Sequence, residues 1–164
     1  MKPSGKKIPD RISRGSANIP ERLKRIDKTQ PHAVLATDAD GQPYASLIAY
    51  ALTPDVKGIL FATPKSTRKY RNILRNRKVA LLIDTRTNTE GDYMHAEAVT
   101  ILGSAHLLRR GTKRESFAKI FLRKHPMLKD ILKSPGTALV HIAIEQCIHA
   151  TRFQSVTVWL PQGA

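Results

Sequence analysis

The stretch that decides the fold is residues 59–84, ILFATPKSTRKYRNILRNRKVALLID. It opens with a short apolar run rich in strand-forming residues, and Pro64 predicts that this strand ends there. Residues 66–78 follow with apolar side chains at helical spacing, and Ser66 or Thr67 is the expected cap. The closing run VALLID is again typical of a strand. The stretch therefore predicts a strand, a short helix and a second strand in direct succession.

Upstream of this stretch, the pattern indicates two more strands joined by a tight turn. HAVLATD (32–38) and PYASLIAYAL (43–52) are rich in residues that favour strands, and Asp40-Gly41 between them is typical of a hairpin turn. A helix is predicted before them, beginning at an N-cap on Asn18. Three strands joined in this way predict an antiparallel meander.

Downstream, a long strand, a helical region and two last strands are expected. Residues 93–108 (YMHAEAVTILGSAHLL) alternate over their middle, with Gly103 as a bulge or a point of close approach. Residues 109–133 predict one or two helices with a break before Pro126. The last strands are expected in TALVHIAIEQCIHATRF and SVTVWLP.

These elements predict a mainly β protein with packed helices (α+β), built as an antiparallel barrel. The length of 164 residues suggests a single domain, which we assign to residues 18–164. Residues 1–17 carry five basic side chains against one acidic, and are predicted to form a flexible basic tail.

Composition narrows the classes of function. Lys and Arg number 28 against 13 Asp and Glu, a net charge of +15 that should attract polyanions such as nucleic acid or phosphorylated metabolites. The single cysteine, Cys147, excludes an intrachain disulfide and a Cys-rich zinc site. No apolar run approaches the ~18 residues of a membrane span, and no secretory signal is visible, so a cytoplasmic location is expected.

The turn between the central strand and helix has the composition of a phosphate site. Residues 65–78 hold seven basic residues and no acidic one. A cation at the N-terminus of a helix destabilises it by roughly 0.3–1 kcal/mol, because the helix dipole is already positive there. A bound dianion would turn this repulsion into attraction. The alternative is a solvated basic face. The candidate phosphate ligands, hydroxyl or cationic, are Thr63, Lys65, Ser66, Thr67, Arg68, Lys69 and Arg71.

The ordered series HAVLATDADGQPYASLIAYAL, ILFATPKSTRKYRNILRNRKVALLID and AVTILGSAHLL resembles the FMN-binding split barrels related to pyridoxamine 5′-phosphate oxidase. The resemblance covers about residues 30–110. It implies a split β-barrel, a homodimer, and FMN bound at the interface between subunits.

The resemblance also carries over binding positions. The positions where the family binds the flavin phosphate are matched by Thr63, Ser66, Thr67, Arg68 and Lys69. Ala45, Ser46, Leu47 and Ile48 match the strand that flanks the ribityl chain and ring, and Asn72 matches an Asn of the helix. Trp159 and Arg152 are candidates to approach the ring from the partner chain.

The expected function is that of a flavin-dependent oxidoreductase with an unknown small-molecule substrate. The ending TVWLPQGA lacks the Arg-Leu-x-Pro that closes true pyridoxamine phosphate oxidases, which argues against vitamin B6 oxidation. No residue stands out as a catalytic acid or base. The alternative is a non-flavin anion-binding module whose ligand is haem, F420 or nucleic acid.

Three further groups have two interpretations each. His95 and Glu97 could place two metal ligands on one strand face, but polar alternation at a surface is favoured, and no metal is expected. Cys147 and His149 share a strand face, where a buried cysteine is the favoured interpretation. The basic segment 109–133 is either an amphipathic helix packed on the barrel or a surface for nucleic acid or membrane.

Overall fold

The computed structural model describes residues 12–13, 18–151 and 155–161. The strands in these residues are β1 (Ile12–Ser13), β2 (His32–Ala39), β3 (Gln42–Leu52), β4 (Gly58–Pro64), β5 (Lys78–Asp84), β6 (Glu97–Leu107), β7 (Thr137–Thr151) and β8 (Ser155–Trp159). The helices are α1 (Ile19–Thr29), α2 (Arg68–Arg75), α3 (Asp92–His95), α4 (Thr112–Lys124) and α5 (Lys129–Lys133), with a 3-10 turn at Pro126–Leu128.

Six of these strands close into a barrel. They follow the order β7-β4-β3-β2-β5-β6, each antiparallel to its neighbour, and β6 pairs with β7 to complete the ring. The far half of β7 also pairs with β8, which carries the short parallel β1. The predicted α+β class with an antiparallel barrel is confirmed.

Gly103 produces the irregularity that the sequence predicted. The register of the β6–β7 pair shifts between Leu102 and Gly103. A Cβ on Gly103 would lie 2.3 Å from the carbonyl oxygen of Ala143, closer than real Cβ contacts come. Glycine is therefore required where the two strands approach across the bulge.

The barrel interior and one face of α1 form a single apolar core. Asn18 caps α1 by accepting a hydrogen bond from the Glu21 amide at 3.3 Å, as predicted. Ile19, Leu23 and Ile26 then lie on one helical face and join the buried residues of the barrel. Burying an aliphatic side chain of this size stabilises the fold by roughly 1.5–3 kcal/mol, so this face fixes α1 on the barrel.

A second apolar cluster lies on the outside of β4 and β7. Leu60 and Leu139 pack there against Phe121 of α4 and Leu132 of α5, all of them buried. The amphipathic interpretation of segment 109–133 is thus confirmed, including its break before Pro126. These helices cover one part of the outer barrel surface.

The predicted strand at 93–108 is wrong at its beginning. Residues Asp92–His95 form α3, and β6 begins only at Glu97. The Asp92 carboxylate accepts hydrogen bonds from the amide of Thr87 at 2.9 Å and from that of Asn88 at 2.7 Å. These bonds close the loop back on itself and turn the chain before the strand can start.

The helix predicted over 66–78 is shorter in the structure. It begins after the cap on Thr67 and ends at Arg75, because Asn76 takes an extended conformation and its side chain accepts from the Lys78 amide at 3.0 Å. Of the predicted basic tail, the structure describes only Ile12–Ser13, so the flexibility of residues 1–17 stays a prediction. Among the described helices, none is both long and apolar enough to cross a membrane.

Candidate functional site

The turn from β4 into α2 is held by a chain of hydroxyl bonds. The Thr67 hydroxyl donates to the Pro64 carbonyl at 2.8 Å and accepts from the Tyr70 amide at 3.4 Å, which caps α2. The Thr63 hydroxyl lies 3.0 Å from that of Thr67. Because the Thr67 proton is already used, Thr63 is the donor of this pair. Thr63 is buried, so both hydroxyls organise the turn from within.

Two basic side chains of the turn are tied to backbone carbonyls. Lys65 Nζ donates to the Pro135 carbonyl at 3.0 Å, which joins this turn to the loop before β7. Arg71 Nη1 donates to the carbonyl of Ser66 at 2.6 Å and so folds back over the start of α2. The Ser66 side chain is exposed beside it.

The charge at the start of α2 is not neutralised within the described part of the chain. Arg68 is exposed and lies over the ring of Tyr44, 4.9 Å from its centroid, and Lys69 is half-buried. Among the described residues, neither has a carboxylate within ion-pair distance; Arg75, which pairs with Asp40, is the member of α2 that does. The predicted cationic helix start therefore exists, with Thr67, Arg68 and Lys69 adjacent.

Asn72 connects this helix to the barrel. Its side-chain amide is buried and donates to the Thr37 hydroxyl at 3.0 Å, and Thr37 in turn reaches the carbonyl of Tyr44 at 3.4 Å. The bonds hold α2 against β2 and β3. Asn72 thus positions the helix, and a direct contact between it and a ligand stays a prediction.

The predicted ring-flanking strand segment alternates sharply between inside and outside. Leu47 is 66% exposed, whereas Ile48 beside it is 5% exposed and belongs to the core. Ala45 lies on the same outer side as Leu47. The Ser46 hydroxyl is buried and has no hydrogen-bond partner among the described residues. Through side chains, only Ala45 and Leu47 can therefore offer contact to a ligand outside the barrel.

Leu47 is part of a mainly apolar row that crosses five strands of the outer barrel surface. The strand register aligns Leu47, Val34, Leu82, Thr100 and Ile148 side by side. None of the five is a member of either buried cluster found in the described residues, and Leu82 is 37% exposed. We call this row, with the parallel row through Ala45 and Ala36, the open face.

The structure does not bring Trp159 to this segment within one chain. Trp159 pairs with Cys147 at the β7–β8 edge and packs against the barrel core. Arg152 lies outside the described residues. An approach of these two side chains to a ligand from a partner chain stays a prediction.

Sequence analysis missed a charged cluster around Glu97. Its carboxylate accepts from Arg22 at 3.0 Å, Arg25 at 2.8 Å and His149 at 2.9 Å. Burial would raise the pKa of Glu97, but these hydrogen bonds outweigh it and hold the pKa below its usual value. The cluster fastens α1 to β6 and β7. Its members lie 52 to 75 residues from Glu97 along the chain, and no local pattern signals such a contact.

The structure argues against a metal site at His95 and Glu97 and against a nucleophile at Cys147. His95 belongs to α3 and Glu97 to β6, so the predicted arrangement of both on one strand face is wrong. Cys147 is fully buried, and burial raises its pKa to about 12, which makes it a poor nucleophile. Within the described residues no group of three or more His, Cys, Asp or Glu side chains could hold a metal ion.

The closed antiparallel barrel of six strands is the fold that the resemblance in the sequence implies, that of a split barrel. The family model for pyridoxamine 5′-phosphate oxidase matches residues 19–150. The chain therefore belongs to the pyridoxamine 5′-phosphate oxidase family.

Three similar proteins illustrate the range of this fold. A pyridoxamine 5′-phosphate oxidase homolog of Schizosaccharomyces pombe is 27% identical over 181 residues, covering 90% of this chain and 94% of its own. A heme-binding protein from Mycobacterium smegmatis superposes with a TM-score of 0.77 at 16% identity, over 91% of this chain and 60% of its own. An FAD-binding protein from Mesorhizobium loti superposes with a TM-score of 0.65 at 17% identity, covering 79% of this chain and 90% of its own. At such identities the two structures establish the fold alone.

Proposed function

We propose that this protein binds FMN at the open face and acts as a flavin-dependent oxidoreductase in the cytoplasm, on a small-molecule substrate that the residues do not identify. Membership of the pyridoxamine 5′-phosphate oxidase family supports a flavin. The FAD-binding relative from Mesorhizobium loti shares the fold, which supports the same class of cofactor.

One observation carries the proposal: the unneutralised start of α2 lies at the edge of the open face. Arg68 stacks on Tyr44, which directly precedes Ala45 on β3 but points to the opposite side of the strand, so the helix start and the open face adjoin through the backbone at this end of β3. FMN has the matching character, because it joins a phosphate dianion to a flat, largely apolar ring. A ligand with its phosphate at Arg68 and Lys69 has apolar sheet surface next to it at Ala45 and Leu47.

The residues present fit this cofactor. Arg68 and Lys69 offer charge-assisted hydrogen bonds to a phosphate, and the exposed Ser66 hydroxyl can add another. Thr63 and Thr67 hold the turn in shape, so the cations need little reordering on binding. The bound flavin would supply hydride or electron transfer, whereas the chain orients it and shields its ring.

We extend the proposal to a homodimer built on the open face. Along the aligned strands, four apolar side chains belong to neither buried cluster of the described residues: Leu47, Val34, Leu82 and Ile148. Helices α4 and α5, in contrast, pack on another part of the outer barrel surface. Exposed apolar patches of this kind typically mark association sites. A second copy would bury the row, enclose the ring, and bring Trp159 and Arg152 to it across the interface.

Haem is the second candidate ligand. The heme-binding protein from Mycobacterium smegmatis shares the fold. In this chain α3 places Tyr93, Met94 and His95, three side-chain types that ligate haem iron, in exposed positions. Tyr93 and Leu82 line the same groove, so α3 borders the open face.

The test is to purify the protein, record its absorption spectrum, and identify the released ligand by mass spectrometry. Flavin bands with a mass for FMN are expected. A Soret band with a mass for haem would replace the first proposal with the second, and a mass for F420 would change the cofactor assignment. Failure of the purified protein to take up FMN on titration would overturn the flavin proposal.

A further inference from the structure

A cleft with an unusual concentration of positive charge is lined by neither Ala45 nor Leu47. It has a volume of about 390 Å³ and is formed by the end of β6, the start of α4, the loop between α5 and β7, and the edge of α2. None of the described residues that line it is acidic. Its cationic lining residues are Lys65, Arg109, Arg110, Arg114 and Lys133.

Two of these cations are fixed in place by backbone carbonyls three residues apart. Arg114 donates to the carbonyl of Leu132 at 3.3 Å, and Lys65 donates to that of Pro135 at 3.0 Å. One bond ends in the last turn of α5 and the other on the loop that follows it, so both cationic groups are tied to the same short segment of the chain. Among the described residues, no carboxylate lies within ion-pair distance of any of the five cations. Their mutual repulsion is therefore uncompensated.

The start of α4 adds a second, independent feature to the cleft. Its N-cap is Gly111, with φ at +134°, a conformation that side chains rarely adopt, and no described side chain caps the helix. The first amides of α4 consequently lack a side-chain acceptor. Arg109 and Arg110 immediately precede them, and Arg114 stands on the first turn. Of this helix, Arg114 lines the cleft itself, and its guanidinium group together with those of Arg109 and Arg110 supplies the kind of donor that binds phosphate.

We propose that this cleft is a second anion site, which binds a small ligand carrying a phosphate ester or a diphosphate, and that it is separate from the flavin phosphate site at Arg68 and Lys69. Five cations exceed what one monoanion requires. The volume suits a small molecule, since ligand pockets commonly measure about 300–1,000 Å³. A single-stranded nucleic acid needs aromatic platforms along a track, whereas the aromatic residue lining this cleft is Tyr70 alone among the described ones.

The experiment measures the binding of inorganic pyrophosphate by calorimetry at fixed ionic strength, with and without saturating FMN. The cleft variant is Arg109→Ala with Arg110→Ala, both exposed. Arg114 and Lys65 stay unchanged, because Arg114 also holds the end of α5 and Lys65 the loop after it. The matched control is Lys119→Ala with Arg123→Ala, two exposed cations of α4 outside the cleft, which removes the same charge. Thermal unfolding verifies that every variant folds.

We expect pyrophosphate affinity to fall at least tenfold in the cleft variant, to change less than twofold in the control, and to return when Arg109 and Arg110 are both replaced by Lys. FMN should not compete with pyrophosphate. Equal losses in the cleft variant and the control would overturn the proposal in favour of net charge alone. A cleft variant that loses FMN affinity would show the cleft to be part of the flavin site. Displacement of pyrophosphate by a single-stranded oligonucleotide, with a steep salt dependence, would assign the surface to nucleic acid instead. The pyrophosphate affinities of the parent, the cleft variant and the control test the proposal even if FMN does not bind.

Discussion

Replacing Arg68 and Lys69 together by Ala removes the two cations that we assign to the flavin phosphate. A charge-assisted hydrogen bond to a phosphate contributes roughly 1.5–3 kcal/mol. Arg68 is exposed and Lys69 is half-buried, so the lower value applies to each. The sum of about 3 kcal/mol corresponds to a loss of about a hundredfold in FMN affinity, since 1.4 kcal/mol is about a factor of ten.

The same double substitution should leave the ligand-free protein as stable as before, or slightly more stable. Removing each cation from the first turn of α2 relieves about 0.3–1 kcal/mol of repulsion with the helix dipole. Losing the stacking of Arg68 on Tyr44, 4.9 Å apart, costs about 0.5–1 kcal/mol. Weaker binding together with undiminished stability is what distinguishes a ligand site from a structural one.

Quenching of flavin fluorescence gives the dissociation constants, and denaturant unfolding gives the stabilities. Riboflavin is the informative second ligand, because it keeps the ring and lacks the phosphate. The preference of the parent protein for FMN over riboflavin should disappear in the double variant, whereas riboflavin affinity should be unchanged. The control pair Lys119→Ala and Arg123→Ala should keep the preference. If the double variant still discriminates FMN from riboflavin as the parent does, the assignment of the phosphate is refuted.

Four further outcomes follow from burial, packing and charge. Leu47→Glu on the open face should convert a dimer to a monomer, measured by light scattering, with little loss of unfolding temperature. Leu74→Glu on α2 is the control, because Leu74 is similarly exposed and its replacement should leave the dimer intact. An unchanged mass in the Leu47 variant would contradict the proposed interface. Glu97→Gln should lower the free energy of unfolding at pH 7 by roughly 1–3 kcal/mol. Because the pKa of Glu97 is depressed in the folded protein, this difference in stability is present above the usual pKa of about 4.3 and fades as the pH falls through the pKa of the folded state. Urea midpoints of the parent and the variant that do not converge in acid would argue against the cluster. Gly103→Ala should cost about 1–3 kcal/mol in denaturant unfolding, since its Cβ meets the opposite backbone, and a neutral effect would mean that the bulge adapts. Cys147 should resist a thiol reagent until the protein unfolds, and rapid labelling of the native protein would show that the core opens.

The local elements could be predicted because their signals are local. The Asp40-Gly41 turn, the caps at Asn18 and Thr67, and the bulge at Gly103 each depend on the chemistry of one or two residues. The cationic turn before α2 was visible for the same reason, since its cations lie within seven residues of one another in the chain. The short connections between successive strands predicted an antiparallel barrel, and the resemblance specified it as a split barrel.

The remaining features depend on which strands become neighbours. The resemblance assigned Leu47 to the strand that flanks the flavin, but only the register with Val34 and Leu82 shows that it belongs to a row across several strands. The Glu97 cluster and the basic cleft likewise assemble from distant segments. The strand predicted over 93–108 began too early because its alternation covers only the middle of that stretch, whereas the hydrogen bonds of Asp92 turn the chain before Glu97.

The position of β7 has a consequence for how the protein is made. Thr137–Thr151 is the last strand of the ring in chain order, and both β4 and β6 pair with it. Until it emerges during synthesis, those two strands present unpaired backbone edges, which favour association with other chains. Closure of the ring is therefore a late event in folding, and substitutions in β7 should lower the yield of native protein more than equally destabilising ones in the β2–β3 hairpin.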